Sequence, residues 1–201
     1  MNVHVDISNV RLETDRLILR PWKMRDLSDL YTYAKDPDVG PMAGWIPHGS
    51  PAESRIILDS FISGKKTLAL ELKTSGRVIG SIGIEPLPRH LGYSFIHLRG
   101  REIGYVLAKP MWGQGLMTEA VQRVIGFCFE ELNLDVLLCG HFVRNGRSAR
   151  VITKCGFEYL KYVEYETQNG DYETTKLYIL RASDYIARQS QVQSSGTAHL
   201  Q

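Results

Sequence analysis

The chain lacks the long runs of apolar residues that a membrane-spanning helix requires. Its first residues contain no apolar segment like that of a secretory signal peptide, so we expect neither export nor membrane insertion. An excess of charge of one sign is also missing, because 24 Lys and Arg residues are balanced by 22 Asp and Glu residues. The resulting net charge of +2 argues against a broad nucleic-acid surface, which would carry clustered basic residues.

Cysteine is scarce, and its pattern excludes two common uses. Cys128, Cys139 and Cys155 have no metal-binding spacing, and their odd number does not form a disulfide framework. We therefore expect small buried side chains in a reducing cytoplasm, and no metal site. A hydrophobic content of 43% in 201 residues is typical of one domain with a sizeable core.

One stretch, Pro110–Ala120, combines two glycines with the start of a helical pattern. It follows a strand-like run, Ile103–Ala108, and opens a helix-like run, Thr118–Leu132. Because Gly113 and Gly115 lack Cβ atoms, their backbone N–H groups can approach a bound group closely. The first N–H groups of a helix also have no partner within the helix. The stretch therefore predicts an anion site, most naturally for phosphate.

Two common phosphate motifs do not fit this stretch. A P-loop ends in Gly-Lys-Ser or Gly-Lys-Thr, whereas Gly115 is followed by Leu116 and Met117. The dinucleotide fingerprint needs a third glycine and a suitably placed acidic residue. The missing lysine disfavours a nucleotide-binding regulator. An ordinary turn between a strand and a helix also explains the two glycines, so both interpretations stay open from these residues alone.

Longer segments of the sequence bear a family resemblance. Glu102–Leu107 and Trp112–Ala120 resemble the acetyl-CoA motif of the GNAT N-acetyltransferases, in particular of the Rim-type branch named for ribosomal-protein N-terminal acetyltransferases. Asn145–Phe157 is similar to the family pattern Asn-x-x-Ser-x-Arg-Val followed by Lys-x-Gly-Phe, and Glu13–Pro21 resembles the family's opening strand. The matches follow the family's order, between Glu13 and Leu180.

The resemblance implies a single α/β (α+β) domain. Helices would flank a mixed, mostly antiparallel sheet of six to seven strands, splayed between its fourth and fifth strands. The residue patterns predict main strands over Leu12–Arg20, Thr67–Lys73, Arg77–Glu85, Glu102–Ala108, Val136–Val143, Tyr159–Glu166 and Tyr172–Leu180. A further short strand is predicted over Tyr93–His97. We expect the domain to cover residues 1–185, followed by a disordered tail over 186–201 because Gln, Ser, Gly and Thr dominate there.

The resemblance also implies how acetyl-CoA is bound, with no metal. The pantetheine arm would lie along the strand at Tyr105, Val106 and Leu107. A backbone N–H near Val106 or Leu107 would stabilise the oxyanion. The diphosphate would rest on the glycine turn and the start of its helix, at Trp112, Gly113, Gln114, Gly115, Leu116, Met117 and Thr118.

The segment after residue 143 contributes the other expected contacts to acetyl-CoA. Asn145 resembles the family residue that binds pantetheine, although capping of the following helix is an alternative and the two can coexist. Ser148 and Arg150 belong to the same predicted cofactor segment. Four basic side chains here would suit the 3′-phosphate of CoA; they are Arg144, Arg147, Arg150 and Lys154. The alternative is that they form a solvated basic face of a helix.

Attack by a primary amine requires a group that accepts the amine's proton. The resemblance indicates Glu102 as the general base, with Glu85 as the runner-up and an ordinary surface or salt-bridged glutamate as the alternative for both. Ile152 stands where many family members have a tyrosine that protonates the leaving thiolate. Trp45 is expected either to line the acceptor pocket or to pack as a hydrophobic lid residue.

The favoured function is acetyl transfer from acetyl-CoA to the α-amine of a protein or peptide N-terminus, within a ternary complex. Acetylation of a small amine, such as a polyamine or an aminoglycoside, is one alternative. A catalytically silent CoA-binding protein is another, for which Ile152 and the bulky Met117 leave room. A homodimer is expected by analogy, and no direct contact with nucleic acid or membrane is expected.

Overall fold

The computed structural model describes residues 3–87, 95 and 97–197. Its strands are β1 (Leu12–Glu13), β2 (Leu17–Pro21), β3 (Thr67–Leu72), β4 (Val78–Pro86), β5 (Gly100–Leu107), β6 (Val136–Phe142), β7 (Glu158–Glu166) and β8 (Tyr172–Arg181). They form one sheet in the order β1-β2-β3-β4-β5-β6-β8-β7. All neighbours are antiparallel except β5 and β6, which are parallel. The predicted mixed, mostly antiparallel sheet is thereby confirmed.

Helices cover both faces of this sheet. They are α1 (Leu27–Ala34), α2 (Pro51–Gly64), α3 (Leu116–Gly126), α4 (Gly146–Lys154) and α5 (Ala182–Thr197). A π-helical turn, Phe127–Glu131, extends α3. Helices α3 and α4 contribute to the largest buried cluster on one face, and α1 and α2 contribute to a second cluster on the other.

The described sheet has eight strands, which is more than the six to seven expected. The predicted first strand, Leu12–Arg20, is two short strands, β1 and β2, that pair with each other with Leu12 opposite Leu19. A turn separates them, in which the Thr14 N–H donates to the Leu17 carbonyl at 3.0 Å. Four consecutive polar residues, Glu13–Arg16, lie at this turn, and the prediction of one continuous strand overlooked them.

The C-terminal segment also differs from its prediction. Where the sequence predicts a disordered tail over 186–201, the structure continues as α5 to Thr197. The prediction weighed the predominance of Gln, Ser, Gly and Thr, whereas Ala, Arg and Gln also favour helix. Tyr185 anchors the start of α5, because its hydroxyl donates to Glu130 Oε1 at 2.5 Å and its ring packs on Phe129. Residues 198–201 and most of the predicted strand Tyr93–His97 lie outside the described residues.

The three cysteines are free and buried, as their composition predicted. Burial raises the pKa of Cys128 and of Cys155 to about 12, and it raises that of Cys139 well above its usual value. The thiols therefore act as packing groups.

Over the described ranges, none of the helices combines the length and apolar character that crossing a bilayer requires.

The feature that positions the site is a gap between β5 and β6. These strands pair only from Gly100 to Ile103, opposite Val136 to Cys139. Beyond Ile103, β5 continues along β4 and β6 continues along β8. The two strands therefore diverge in the middle of the sheet, which confirms the predicted splay. Because β1 and β2 are separate, these are the fifth and sixth strands.

Candidate active site

A backbone corner leads from β5 into α3. Gly113 and Gly115 adopt left-handed conformations, with φ of 79° and 78°, which favour glycine. The first backbone bond of the helix runs from the Glu119 N–H to the Gly115 carbonyl at 3.1 Å. The N–H groups of residues 116–118 therefore precede the helical ladder and can donate to a bound anion.

Three side chains from distant parts of the sequence hold this corner in place. Arg16 donates from Nε to Glu119 Oε2 at 2.7 Å and from Nη1 to the Gln114 carbonyl at 2.9 Å. Glu119 also accepts from the Thr14 hydroxyl at 2.5 Å. The sequence analysis missed this role. Thr14 and Arg16 lie within the recognised opening segment, which predicted only a strand.

Replacing Arg16 by alanine is expected to weaken binding of acetyl-CoA about 3- to 10-fold, because the corner loses both bonds. The ion pair is partly exposed, so a loss of about 1 kcal/mol is reasonable. The rate at saturating acetyl-CoA should stay unchanged. Calorimetry and steady-state kinetics measure the two quantities. Arg11→Ala is the matched control, since Arg11 makes only an exposed pair with Glu13; equal affinities for both variants would contradict the role of Arg16.

Two large side chains of the glycine motif, Trp112 and Met117, both have structural explanations. The Trp112 indole N–H donates to the Leu107 carbonyl at 2.7 Å and so fixes the end of β5. The Arg147 guanidinium lies 4.5 Å from the centre of the indole ring. Met117 is only 5% exposed and belongs to the main core cluster. Its bulk is therefore accommodated by the core.

A cavity of about 500 Å³ lies between the corner, the end of β5 and the start of α4. All the predicted cofactor-binding residues line it except Gln114, whose carbonyl binds Arg16. Val39, Met42 and Ala43 also line it, and sequence reasoning missed them. For these three residues, as for those expected from the sequence, a role in binding acetyl-CoA is a prediction.

The start of α4 shows why Asn145 is placed where it is. Its side-chain oxygen accepts from the Ser148 N–H at 3.1 Å, and its amide donates to the Met42 carbonyl at 3.2 Å. The capping alternative is therefore observed, and a contact with pantetheine stays a prediction. The Ser148 hydroxyl pairs with the Tyr105 hydroxyl at 2.8 Å, which ties α4 to β5. Ile152, fully buried, offers no hydroxyl to a leaving thiolate.

The basic side chains near α4 divide into two groups. Arg147, Arg150 and Lys154 line the cavity, where they can meet phosphate charge. Arg144 is engaged elsewhere, because it donates to Glu173 at 2.8 Å and to the Pro41 carbonyl at 2.7 Å. We therefore assign the expected phosphate contacts to the first group alone.

Residues 40–46, the roof segment, lie beside β6, and Met42 and Ala43 within it line the cavity. In addition to the contacts from Arg144 and Asn145, the roof segment is bonded to the turn between β7 and β8. The Gln168 N–H donates to the Gly44 carbonyl at 2.8 Å, and the Ile46 N–H donates to Gln168 Oε1 at 2.8 Å. Trp45 packs close to Gly40 and lines a smaller cavity of about 240 Å³. Its contact with an acceptor stays a prediction.

Two glutamates lie side by side on the sheet, since Glu102 on β5 is directly opposite Glu85 on β4. Glu85 forms an ion pair with Lys66. Within the described ranges, no cation lies at ion-pair distance from Glu102. Burial, with a smaller contribution from the negative charge of Glu85, raises the pKa of Glu102 to about 7. A carboxylate with this pKa can accept a proton near neutral pH.

The alternation of side chains along β5 places these groups on different faces of the sheet. Glu102, Gly104 and Val106 share the face where Val106 packs against the α1–α2 cluster. Ile103 and Tyr105 share the opposite face, where they pack with the α3–α4 cluster. The general-base candidate and the diphosphate corner are thus on opposite sides of the sheet, and the gap connects them.

The backbone of β5 identifies the better of the two predicted oxyanion donors. The Ala108 N–H donates to the Ile79 carbonyl on β4 at 2.8 Å. Because backbone groups alternate along an antiparallel pair, Val106 also faces β4, whereas Tyr105 and Leu107 face the gap. The Leu107 carbonyl is held by Trp112 on that side. The N–H of Leu107 therefore points toward the gap, and that of Val106 does not.

Comparison with known families agrees with this geometry. Residues 16–158 match the family described as "Acetyltransferase (GNAT) domain". The chain belongs to this family. It is therefore an acetyl-CoA-dependent N-acetyltransferase, and acetyl-CoA is its co-substrate. Within the described residues, no group of three or more His, Cys, Asp or Glu side chains is arranged to hold a metal ion.

Individual relatives support the same assignment. The N-acetyltransferase p20 of Bacillus licheniformis, itself uncharacterized, is 28% identical over 152 residues, which cover 73% of this chain and 82% of p20. The spermidine N-acetyltransferase of Vibrio cholerae, solved with CoA and spermine, superimposes with a TM-score of 0.70 at 20% identity, covering 86% of this chain and 99% of its own. The ribosomal-protein-S5-alanine acetyltransferase of Vibrio fischeri superimposes with a TM-score of 0.67 at 21% sequence identity. The match covers 88% of this chain and 98% of that protein's chain. The TM-scores of these two structures show a shared fold.

Proposed function

We propose that this GNAT enzyme acetylates the α-amine of a protein or peptide N-terminus by direct attack on acetyl-CoA in a ternary complex. The observation that carries the proposal is the position of Glu102. Its carboxyl group lies on the α1–α2 face, beside the gap that joins this face to the predicted acetyl-CoA cavity. Glu102 would act as the general base, and the Leu107 N–H would stabilise the developing oxyanion.

The difference in pKa between the two kinds of amine favours an α-amine over an alkylamine. An N-terminal ammonium group has an ordinary pKa of about 8, whereas an alkylammonium such as that of lysine has a pKa of about 10.4. Proton transfer to a base of pKa about 7 is therefore unfavourable by about one pKa unit for the α-amine and about three for the alkylamine. At about 1.4 kcal/mol per unit, the difference between the two amines is close to 3 kcal/mol.

Relatives of both acceptor types share this fold, since one solved neighbour is named for an alanine of a ribosomal protein and another for spermidine. Their names support a primary-amine acceptor without choosing its class. The resemblance of the acetyl-CoA motif to the Rim-type branch adds support for the N-terminal amine. Acetylation of a small-molecule amine is the alternative.

Release of CoA thiol from acetyl-CoA, measured with a panel of amines, tests the proposal. We expect turnover with peptides that have a free N-terminus, and little with the same peptides formylated at the N-terminus but carrying a lysine side chain. Polyamines and aminoglycosides complete the panel. A higher kcat/KM for spermidine would overturn the acceptor assignment. Calorimetric binding of acetyl-CoA without turnover of any amine would instead indicate a silent CoA-binding protein.

Glu85→Gln is expected to move the acid limb of the pH profile of kcat/KM below pH 7. The negative charge of Glu85 raises the pKa of Glu102, so removing it lets Glu102 ionise at lower pH. Lys66→Gln should move the limb in the opposite direction, because Glu85 loses its neutralising partner. Initial rates from pH 5 to 9 measure both shifts. Limbs that coincide with the wild type would show that Glu85 does not act on the catalytic carboxylate.

Two coarser properties complete the proposal. A reducing compartment such as the cytoplasm is supported by the three free, buried cysteines. A homodimer is proposed by analogy with the family alone, because a shared fold does not determine assembly.

A further inference from the structure

Gly104 stands in the middle of β5, although the fold does not require a glycine there. Its φ lies outside the left-handed region, so other residues can adopt its backbone conformation. A Cβ atom built on Gly104 has no atom within 4 Å among the described residues. Since glycine in a strand is less favourable than alanine, this position is less stable than the fold allows.

Other glycines of the sheet differ from Gly104 in this respect. A Cβ atom on Gly80 would lie 2.3 Å from the Val106 carbonyl oxygen, and one on Gly100 would lie 2.9 Å from Cγ1 of Val136, which is fully buried. Packing therefore accounts for glycine at these two positions. A glycine in a strand that packing does not explain indicates close approach by another molecule.

The location of Gly104 identifies that molecule. Gly104 lies between Glu102 and Val106 on the α1–α2 face of the sheet. It is the first residue of β5 beyond the last pair with β6. Residues two apart on a strand are about 7 Å from each other. The missing side chain thus leaves space between the general-base candidate and the Leu107 N–H. An attacking amine has to bind in this space to reach both groups.

We propose that the space at Gly104 holds the carbon next to the acceptor's amine, so that residue 104 determines which amines are acetylated. The inference rests on the proposed function and makes it more specific. An N-terminal amino acid other than glycine carries a side chain and a carbonyl group on that carbon. The carbon next to a polyamine nitrogen carries only hydrogens and the continuing chain. The open position therefore fits a branched α-amine.

Gly104→Ala tests this by placing one methyl group in the space. Two peptides that differ only in beginning with alanine or with glycine serve as acceptors. For the alanine peptide, kcat/KM should fall about 10-fold or more, mainly through KM, since one methyl group in a pocket is typically worth about 10- to 200-fold. For the glycine peptide, the loss should stay below about threefold. Acetyl-CoA affinity should not change, and Tm should stay the same or rise.

The control is Gly64→Ala at the end of α2, where an added Cβ atom is 3.8 Å from its nearest neighbour, the Lys66 side chain. This variant should treat both peptides as the wild type does. Equal losses for the two peptides in Gly104→Ala, or a loss of acetyl-CoA affinity, would overturn the inference alone. A wild-type enzyme that acetylates polyamines and neither peptide would overturn the proposed acceptor as well.

Discussion

Glu102→Gln is expected to lower kcat by about 100-fold or more at pH 8, because the amide cannot accept the proton that the attacking amine must lose. The wild-type rate should rise with pH through about 7, as Glu102 ionises, and this limb should be absent from the variant. Rates of CoA release with a peptide acceptor from pH 5 to 9 measure both effects. Glu166→Gln is the matched control, since Glu166 is exposed on β7.

The same substitution makes an independent prediction about stability. Because burial raises the pKa of Glu102 from 4.5 to about 7, the folded protein holds a proton that the unfolded chain has lost between these pH values. Stability therefore falls as pH rises through this window, by about 3 kcal/mol at most. Glutamine carries no charge, so Glu102→Gln should raise Tm more at pH 8 than at pH 5. A constant Tm difference would contradict the raised pKa of Glu102, and a rate within severalfold of the wild type would contradict its role as the general base.

Gly113→Val is expected to weaken acetyl-CoA binding by about 10- to 100-fold. Valine is strained in the left-handed conformation that Gly113 adopts, so the corner must change shape and its N–H groups lose their alignment toward the diphosphate. Hydrogen bonds to charged groups are worth about 1.5–3 kcal/mol each. Calorimetry with acetyl-CoA and with CoA measures the loss.

Gly76→Val provides a control with the same strain at a different place. Gly76 is also left-handed, with φ of 65°, and a Cβ atom at either glycine meets nothing within 4 Å among the described residues. Both variants should lose similar stability, and only Gly113→Val should lose affinity. Equal affinities in the two variants would mean that the corner does not bind the diphosphate.

The predictable parts of this molecule are those encoded in neighbouring residues. The glycine corner, the cap of α4 and the two adjacent glutamates each depend on a few consecutive positions or on two successive strands. The divergence of β5 and β6 came from the family resemblance, since strand patterns do not show where pairing ends. The predicted cofactor residues line one cavity, and their role in binding acetyl-CoA stays a prediction.

The parts that sequence reasoning missed depend on contacts between distant segments. Arg16 and Glu119 are separated by 103 positions, and so are Asn145 and Met42. No periodicity connects such residues, because packing of the whole chain decides which of them meet. The turn that divides β1 from β2 is different, since it lies at four consecutive polar residues, Glu13–Arg16, which are a local signal.

The burial of the three thiols has a practical consequence for assays. Thiolate is the form of cysteine that attacks disulfide reagents, and the raised pKa of each cysteine keeps it protonated. A chromogenic disulfide added to a reaction will therefore react with released CoA while the native enzyme contributes almost no background. Denaturation exposes all three sulfurs, so the same dye in the absence of substrate reports the fraction of molecules that have unfolded.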